Sequence, residues 1–210
     1  MDDWKMNLLC VSEKHEIAIF AIQSKLHVFE LDTLTMKLGD KSKVIDLRNE
    51  DSSINNIRLV TCSDVDFLVC VDMGAHVRMF YLDNLDRDPI KFQNIAQHTD
   101  DNSTWSCDGV GSVPPRVVVG SNAHTISIMD LQTEKVQRFK GHKHNVPSVS
   151  FSPCGQFIAS TSIDRHIKIW KFESQSDSWE LCSGAIPDSD WGWAIRWVDK
   201  NHCLPSFEPQ

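Results

Sequence analysis

Gly141-His142-Lys143-His144-Asn145-Val146, Ser150-Phe151-Ser152-Pro153-Cys154-Gly155, Ser160-Thr161-Ser162-Ile163-Asp164 and Ile167-Lys168-Ile169-Trp170 follow one another in a single stretch. Pro153 and Gly155 bend the chain between two strands. Ile167 and Ile169, with Lys168 between them, alternate with the period of a strand. The stretch therefore reads as strand, turn, strand, turn, strand. The ring of His142 can exchange hydrogen bonds with Ser160 or Ser162 and with Asp164, and the indole N–H of Trp170 needs a partner of the same kind.

One small sheet cannot bury both its faces, so further copies are expected, and the sequence contains them. The strand Ile169-Trp170-Lys171-Phe172 has earlier counterparts in Val28-Phe29-Glu30-Leu31, Met79-Phe80-Tyr81-Leu82 and Ile128-Met129-Asp130-Leu131. The positions equivalent to Trp170 are Phe29, Phe80 and Met129, at spacings of 51, 49 and 41 residues. Each copy is preceded by a second apolar strand: Ile17 to Ile22, Phe67 to Val71, Arg116 to Val119 and Phe157 to Ser160.

Glycine-histidine pair, S-P-x-G turn, strand ending near Asp and apolar strand ending in Trp resemble a WD-repeat from end to end, and the spacing is close to the roughly 40–45-residue period of that family. The resemblance implies an all-β, WD-repeat β-propeller in one domain spanning 1–210. The repeats fall at approximately 7–47, 54–95, 103–140 and 141–183, with a partial one at 190–199. It also implies a structural tetrad drawn from His142, Ser160, Ser162, Asp164 and Trp170. In the earlier repeats Phe80 and Met129 lack an indole donor, and Gly74 and Ala123 stand where Asp164 stands. Those blades are expected to keep the shape without the polar network.

Four blades and the first strand of a fifth predict an incomplete ring. Trp191, Trp193, Ile195 and Trp197 fall on one side of that fifth strand, with Gly192 and Ala194 on the other, as an inner strand wedged between two blades requires. Closed propellers use about 4–8 complete blades, so a following blade or a partner chain is expected to complete the ring.

A second, narrower resemblance covers about Asn55 to Val198. Asn102-Ser103-Thr104-Trp105-Ser106, Val117-Val118-Val119-Gly120-Ser121-Asn122-Ala123-His124-Thr125-Ile126, His144-Asn145-Val146-Pro147-Ser148-Val149-Ser150-Phe151 and Trp191-Gly192-Trp193-Ala194-Ile195-Arg196-Trp197-Val198 occur in that order. They resemble motifs of the fungal WD-repeat regulators of ribonucleotide reductase gene transcription. That resemblance implies a nuclear regulatory role, or a place as substrate-recognition subunit of a cullin-type ubiquitin ligase. A generic WD-repeat adaptor of another complex is the remaining alternative.

Composition sets limits. The 210 residues are 41% hydrophobic, in the range of folded domains. No run of about 18 apolar residues could form a membrane-spanning helix. Met1-Asp2-Asp3-Trp4-Lys5 is acidic where a secretory signal is basic. The seven cysteines, Cys10, Cys62, Cys70, Cys107, Cys154, Cys182 and Cys203, are scattered without a C-x-x-C pair. They read as reduced thiols, which points to cytoplasm or nucleus, with the nucleus favoured by the second resemblance. A net charge of −8 argues against direct nucleic-acid binding, which needs a basic face. The positive run Lys135, Arg138, Lys140, Lys143 is a solvated strand and loop, or a contact for a phosphate or an acidic peptide.

No catalytic constellation stands out, and no cofactor or small-molecule substrate is implied. His142-x-His144 offers two metal ligands without a third at zinc-site spacing. Ser160, His142 and Asp164 are the residue types of a hydrolytic triad, but the serine lies in a strand without a nucleophile elbow. Gly109-x-Gly111 leads into Ser112-Val113-Pro114-Pro115 and not a helix, against a phosphate loop. Asp83, Asp86 and Asp88 with Arg87 form an acidic loop. The expectation is a non-catalytic scaffold binding proteins. Strand parity brings the loop before a first strand and the turn between second and third strands to one face. Lys143, His144, Asn145, Arg165 and His166, with Asn102, Ser103, Thr104 and Trp105 from the neighbouring blade, are the expected partner-binding rim.

Overall fold

The computed structural model describes residues 7–47, 53–62, 64–92, 103–111, 114–186 and 192–198. These form sixteen strands in four antiparallel sheets of four, each a simple meander in chain order. The first sheet is β1 (Leu9–Ser12), β2 (Ile17–Ile22), β3 (Lys25–Asp32) and β4 (Lys37–Asp46). The second is β5 (Ile54–Cys62), β6 (Val65–Asp72), β7 (Val77–Tyr81) and β8 (Ile90–Phe92). The third is β9 (Thr104–Val110), β10 (Arg116–Ser121), β11 (Thr125–Asp130) and β12 (Val136–Lys140). The fourth is β13 (Ser148–Phe151), β14 (Phe157–Thr161), β15 (Ile167–Glu173) and β16 (Ser178–Ala185).

Strand composition follows position. Second strands are covered on both faces, so they read as nearly unbroken apolar runs, as Val117, Val118 and Val119 do; none of the three is exposed. Outer strands face water, and most of β16 is exposed. The period-two alternation of strands assigns each buried side chain to one inter-sheet seam. In β6, Leu68 and Cys70 pack toward the first sheet with Ile19, Leu26 and Val28. Val69 and Val71 pack toward the third with Cys107, Val117 and Met129. A third cluster joins Val118, Ile126 and Ile128 to Val149, Phe151, Ile158 and Trp170.

Each inner strand lies on the two innermost strands of the sheet before it: β5 on β1 and β2, β9 on β5 and β6, β13 on β9 and β10. Residues 192–198 continue the series on β13 and β14. The N–H of Ile195 donates to Ser148 Oγ at 3.1 Å and the Trp197 indole to Ser150 O at 3.0 Å. Gly192 lies so close to Thr161 that an added Cβ would sit 2.9 Å from its Cβ. The segment occupies the place expected of a fifth inner strand but forms no strand, because no described neighbour supplies a ladder. Trp191, expected at its start, lies outside the described residues. On the opposite face, Lys14 and His15 clasp the first sheet to the second by reaching Asp66 at 2.7 and 2.8 Å.

Candidate functional site

The fourth sheet carries a buried hydrogen-bond chain. The Trp170 indole donates to Ser160 Oγ at 2.8 Å, and Ser160 Oγ lies 2.8 Å from His142 Nε2. His142 Nδ1 lies 3.1 Å from Asp164 Oδ2. One assignment satisfies every group: Ser160 donates to Nε2, and Nδ1–H donates to the carboxylate. The imidazole is then neutral. Burial holds it below the ordinary histidine range, against the pull of Asp164. Burial also pushes the Asp164 carboxyl up, but the N–H groups of Lys143 and His166 and the His142 ring outweigh it and bring it down to about 2. Gly141 precedes the histidine because a Cβ there would sit 1.9 Å from the Trp170 ring.

Ser162 stands outside this chain. It accepts the N–H of Asp164 at 3.0 Å and donates to His144 O at 3.1 Å. Residues 160 and 162 share strand parity, but β14 ends at Thr161, so Ser162 turns into the loop. Ser160 itself is fully buried and bonded on both sides, a geometry that leaves no nucleophile facing solvent.

The tetrad holds part of the expected rim together. The N–H of Lys143 donates to Asp164 Oδ2 at 2.7 Å, and Ile163 N–H donates to Asn145 O at 3.1 Å. Lys143, His144 and Arg165 are exposed, and Asn145 and His166 are half-buried. His166 Nδ1 lies 2.8 Å from Asp164 O. Thus Lys143, His144, Asn145, Arg165 and His166 share one face. That face extends to the third sheet, where the ring of His124 lies 5.7 Å from that of His144. This inter-sheet histidine pair was not among the sequence-derived candidates.

The third-sheet part of the expected rim differs. Ser103 and Thr104 are buried, because the start of an inner strand is used to bind its neighbours. Asn55 Nδ2 donates to Ser103 Oγ at 2.9 Å, and Thr104 Oγ1 donates to Asp72 O at 2.7 Å. Trp105 is half-buried and stacks on Trp193 at 5.7 Å and 27°, so it belongs to the inner packing and not to an exposed rim. Asn102 lies outside the described residues.

In the second sheet Cys70 and Phe80 stand where Ser160 and Trp170 stand in the fourth and pack in an apolar cluster, so the tetrad is absent there, but another polar network forms beside that place. Asp72 is fully buried and accepts the N–H groups of Gly74 at 2.9 Å and His76 at 3.0 Å. It also pairs with the buried Arg78 guanidinium. In register, Asp72 holds the position of Ser162 and Arg78 that of Lys168, next to the tetrad's place and not in it. The signal of this network was Asp72-x-Gly74 at the turn, followed by Arg78 at a strand position of buried parity.

Inner strands also share charge. Arg58 on β5 meets Asp108 Oδ1 at 3.2 Å, while Asp108 Oδ2 accepts from Ser150 Oγ at 2.8 Å and from Phe151 N–H at 3.0 Å. Asp108 therefore links three sheets. Gly109 and Gly111, the improbable phosphate loop, sit where β9 presses on β5; added Cβ atoms would meet Val60 at 2.5 Å and Thr61 O at 2.1 Å. In the acidic loop, Asp86 pairs with Lys43 and Arg87 lies 3.9 Å over the Tyr81 ring. Among the described residues no three His, Cys, Asp or Glu side chains are grouped to hold a metal. Both ring nitrogens of His142 are engaged, and His144 Nδ1 accepts the N–H of Asn145 at 2.8 Å. The described cysteines are free thiols, and burial pushes Cys10 and Cys62 each up to about 11.

The WD40 family, described as WD domain, G-beta repeat, matches residues 133–171. A WD40 repeat-containing protein of Dictyostelium discoideum is 33% identical over 202 residues, covering 93% of this chain and 28% of that protein. An uncharacterized WD repeat-containing protein of Schizosaccharomyces pombe is 25% identical over 230 residues, covering 94% of this chain and 45% of that protein. The chain thus spans less than half the length of either. Among solved structures, a chain of a mitotic checkpoint complex superposes with a TM-score of 0.70 over 94% of this chain and 54% of its own. At 16% identity that match speaks for the fold alone. Four meandering sheets, with the G-beta repeat running from the outer strand of the third through the third strand of the fourth, and relatives aligned along nearly the whole chain, together support its membership of the WD40-repeat family.

Proposed function

We propose that this chain is a non-catalytic docking platform that presents the face formed by Lys143, His144, Asn145, Arg165 and His166 to a protein partner. WD-repeat propellers as a class act as protein-interaction scaffolds; function beyond that class lies in the site each fold carries. The observation that carries the proposal is the clasp beneath this face. Asp164 binds both the loop before β13 and the turn after β14, so exposed cationic side chains stand on a rigid base. Arg165 adopts a left-handed φ of 70°, where glycine would be less strained. The matching turn is also left-handed at Ala75 and His124, so what sets the fourth sheet apart is the long cation placed on it.

The finer role rests on the sequence resemblance described above. It is that of a nuclear regulatory WD-repeat protein acting on transcription of ribonucleotide reductase genes. Its alternatives are a cullin-type substrate-recognition subunit or an adaptor of another complex. A transcriptional corepressor of Arabidopsis thaliana shares 39% identity with 59 residues of the chain, which is consistent with the transcriptional reading. The test is photo-crosslinking in native extract from position 143 and, as control, from position 37 on the outer strand β4. Crosslinks to chromatin or transcription components from position 143 alone are expected. Equal products from both positions would remove the rim, and cullin components would shift the role to the ligase alternative.

A further inference from the structure

The histidine pair between the third and fourth sheets adds a chemical preference to this face. His124 stands at the turn between β10 and β11 with a left-handed φ of 60°, and Arg165 holds the matching turn of the next sheet at 70°. The second sheet has the same left-handed turn at Ala75, so the turn is common to three sheets and the third and fourth place a basic side chain on it. Lys140 is opposite Thr125 in the β11–β12 register, beside the His124 turn, and is exposed with Lys143 and Arg165. The carboxylate facing this group among the described residues is Asp164, already bound by His142, by the N–H groups of Lys143 and His166, and by the His166 ring. Lys140 and Lys143 thus add two exposed ammonium groups to this seam on a protein of net charge −8.

We propose that the seam between the third and fourth sheets, lined by His124, Lys140, Lys143, His144 and Arg165, docks an acidic peptide segment, more tightly as His124 takes up a proton. This inference rests on the rim described above and adds its partner's chemistry. Without a ligand, a proton on His124 is opposed by its surroundings: burial first, then the adjacent His144 ring and Lys140 hold it below the ordinary histidine range, with Asp164 opposing them. His142, His166, Lys143 and Arg165 complete the titratable and charged groups on the facing loop and turn. Glutamate or aspartate side chains laid across the seam screen that repulsion, so proton uptake and docking favour each other by linkage. One proton taken up on binding gives at most about tenfold in affinity per pH unit.

The experiment titrates the protein with a fluorescent poly-glutamate peptide at about pH 7.5 and about pH 6, a range in which histidine alone among ordinary side chains changes charge. Wild type is expected to bind 3- to 10-fold more tightly at the lower pH, within the one-proton limit just given. His124→Asn, chosen because asparagine tolerates a left-handed turn, is expected to flatten that response while keeping the affinity seen at the higher pH. Lys143→Glu with Arg165→Glu is expected to weaken binding at both values by about tenfold or more, the loss of two charge contacts. His144→Gln leaves His124 in place and is expected to keep a pH response, since it removes only a neighbour that opposes the proton. Equal wild-type affinity at the two pH values, or a pH response that survives His124→Asn, overturns the proposal. If the crosslinks from position 143 persist while poly-glutamate does not bind at either pH, the rim stands and its acidic partner does not.

Discussion

Ser160 shows how much one hydroxyl can carry. It accepts from Trp170 and donates to His142 inside a buried seam, so Ser160→Ala leaves two buried polar groups without a partner. The expected loss is about 3 kcal/mol in denaturant unfolding, against about 1 kcal/mol for Ser162→Ala, whose contacts lie in the loop. Equal losses would mean that Ser160 does not bridge the network. The sequence offered both serines at one parity, and only the end of β14 separates them.

The same network gives a pH signature. Both groups have folded values below their unfolded ones, so each contributes stability that is complete above its unfolded value and lost on acidification. For His142 the loss begins as pH falls below about 6.5. For Asp164 it runs from about 3.9 in the unfolded chain down to about 2 in the folded one. Asp164→Asn should remove the second loss. Subtracting its denaturation midpoints from those of wild type across this range isolates the contribution of Asp164.

At the scale of elements, strands were legible because burial on both faces or one face leaves a direct trace in the sequence. The spacing of Phe29, Phe80, Met129 and Trp170 located all four third strands. Pairings across seams were not legible: His124 with His144, Arg58 with Asp108, and Trp105 with Trp193 join positions that no periodicity connects. Arg78 was missed for another reason, since its partner Asp72 is displaced from the position that Asp164 holds. Segment 192–198 was read as a strand from its alternating side chains; it has the packing of one without the ladder. Its seat depends on close approach at Gly192. Gly192→Ala should lift it from Thr161 and separate the stacked Trp105 and Trp193 rings. Loss of near-ultraviolet circular dichroism with little change in the far-ultraviolet is the expected result, and an unchanged near-ultraviolet spectrum would show that the segment does not depend on that contact.

For the whole molecule, the four sheets bury apolar surface against one another in sequence, and both ends of the stack expose more of it. Leu9 and Val11 are 51% and 42% exposed on β1, and Trp197 and Val198 are 37% and 70% exposed beyond β13. Exposed flanks of this kind favour association. Light scattering on residues 1–210 alone should therefore detect dimers or larger species that dissociate on dilution. A monomer with one cooperative melt would show that these flanks do not drive association.

The alternation of side chains along β6 and β10 has a consequence for how the protein is made. Every cluster draws on two neighbouring sheets, so none waits for a distant part of the chain. The first can close once Leu82 has left the ribosome, the second once Met129 has, and the third once Trp179 has. Synthesis at about 5–20 residues per second separates these events by seconds, longer than a short hairpin needs to form. The nascent chain can thus bury its hydrophobic surface in instalments, keeping little of it open to aggregation at any moment.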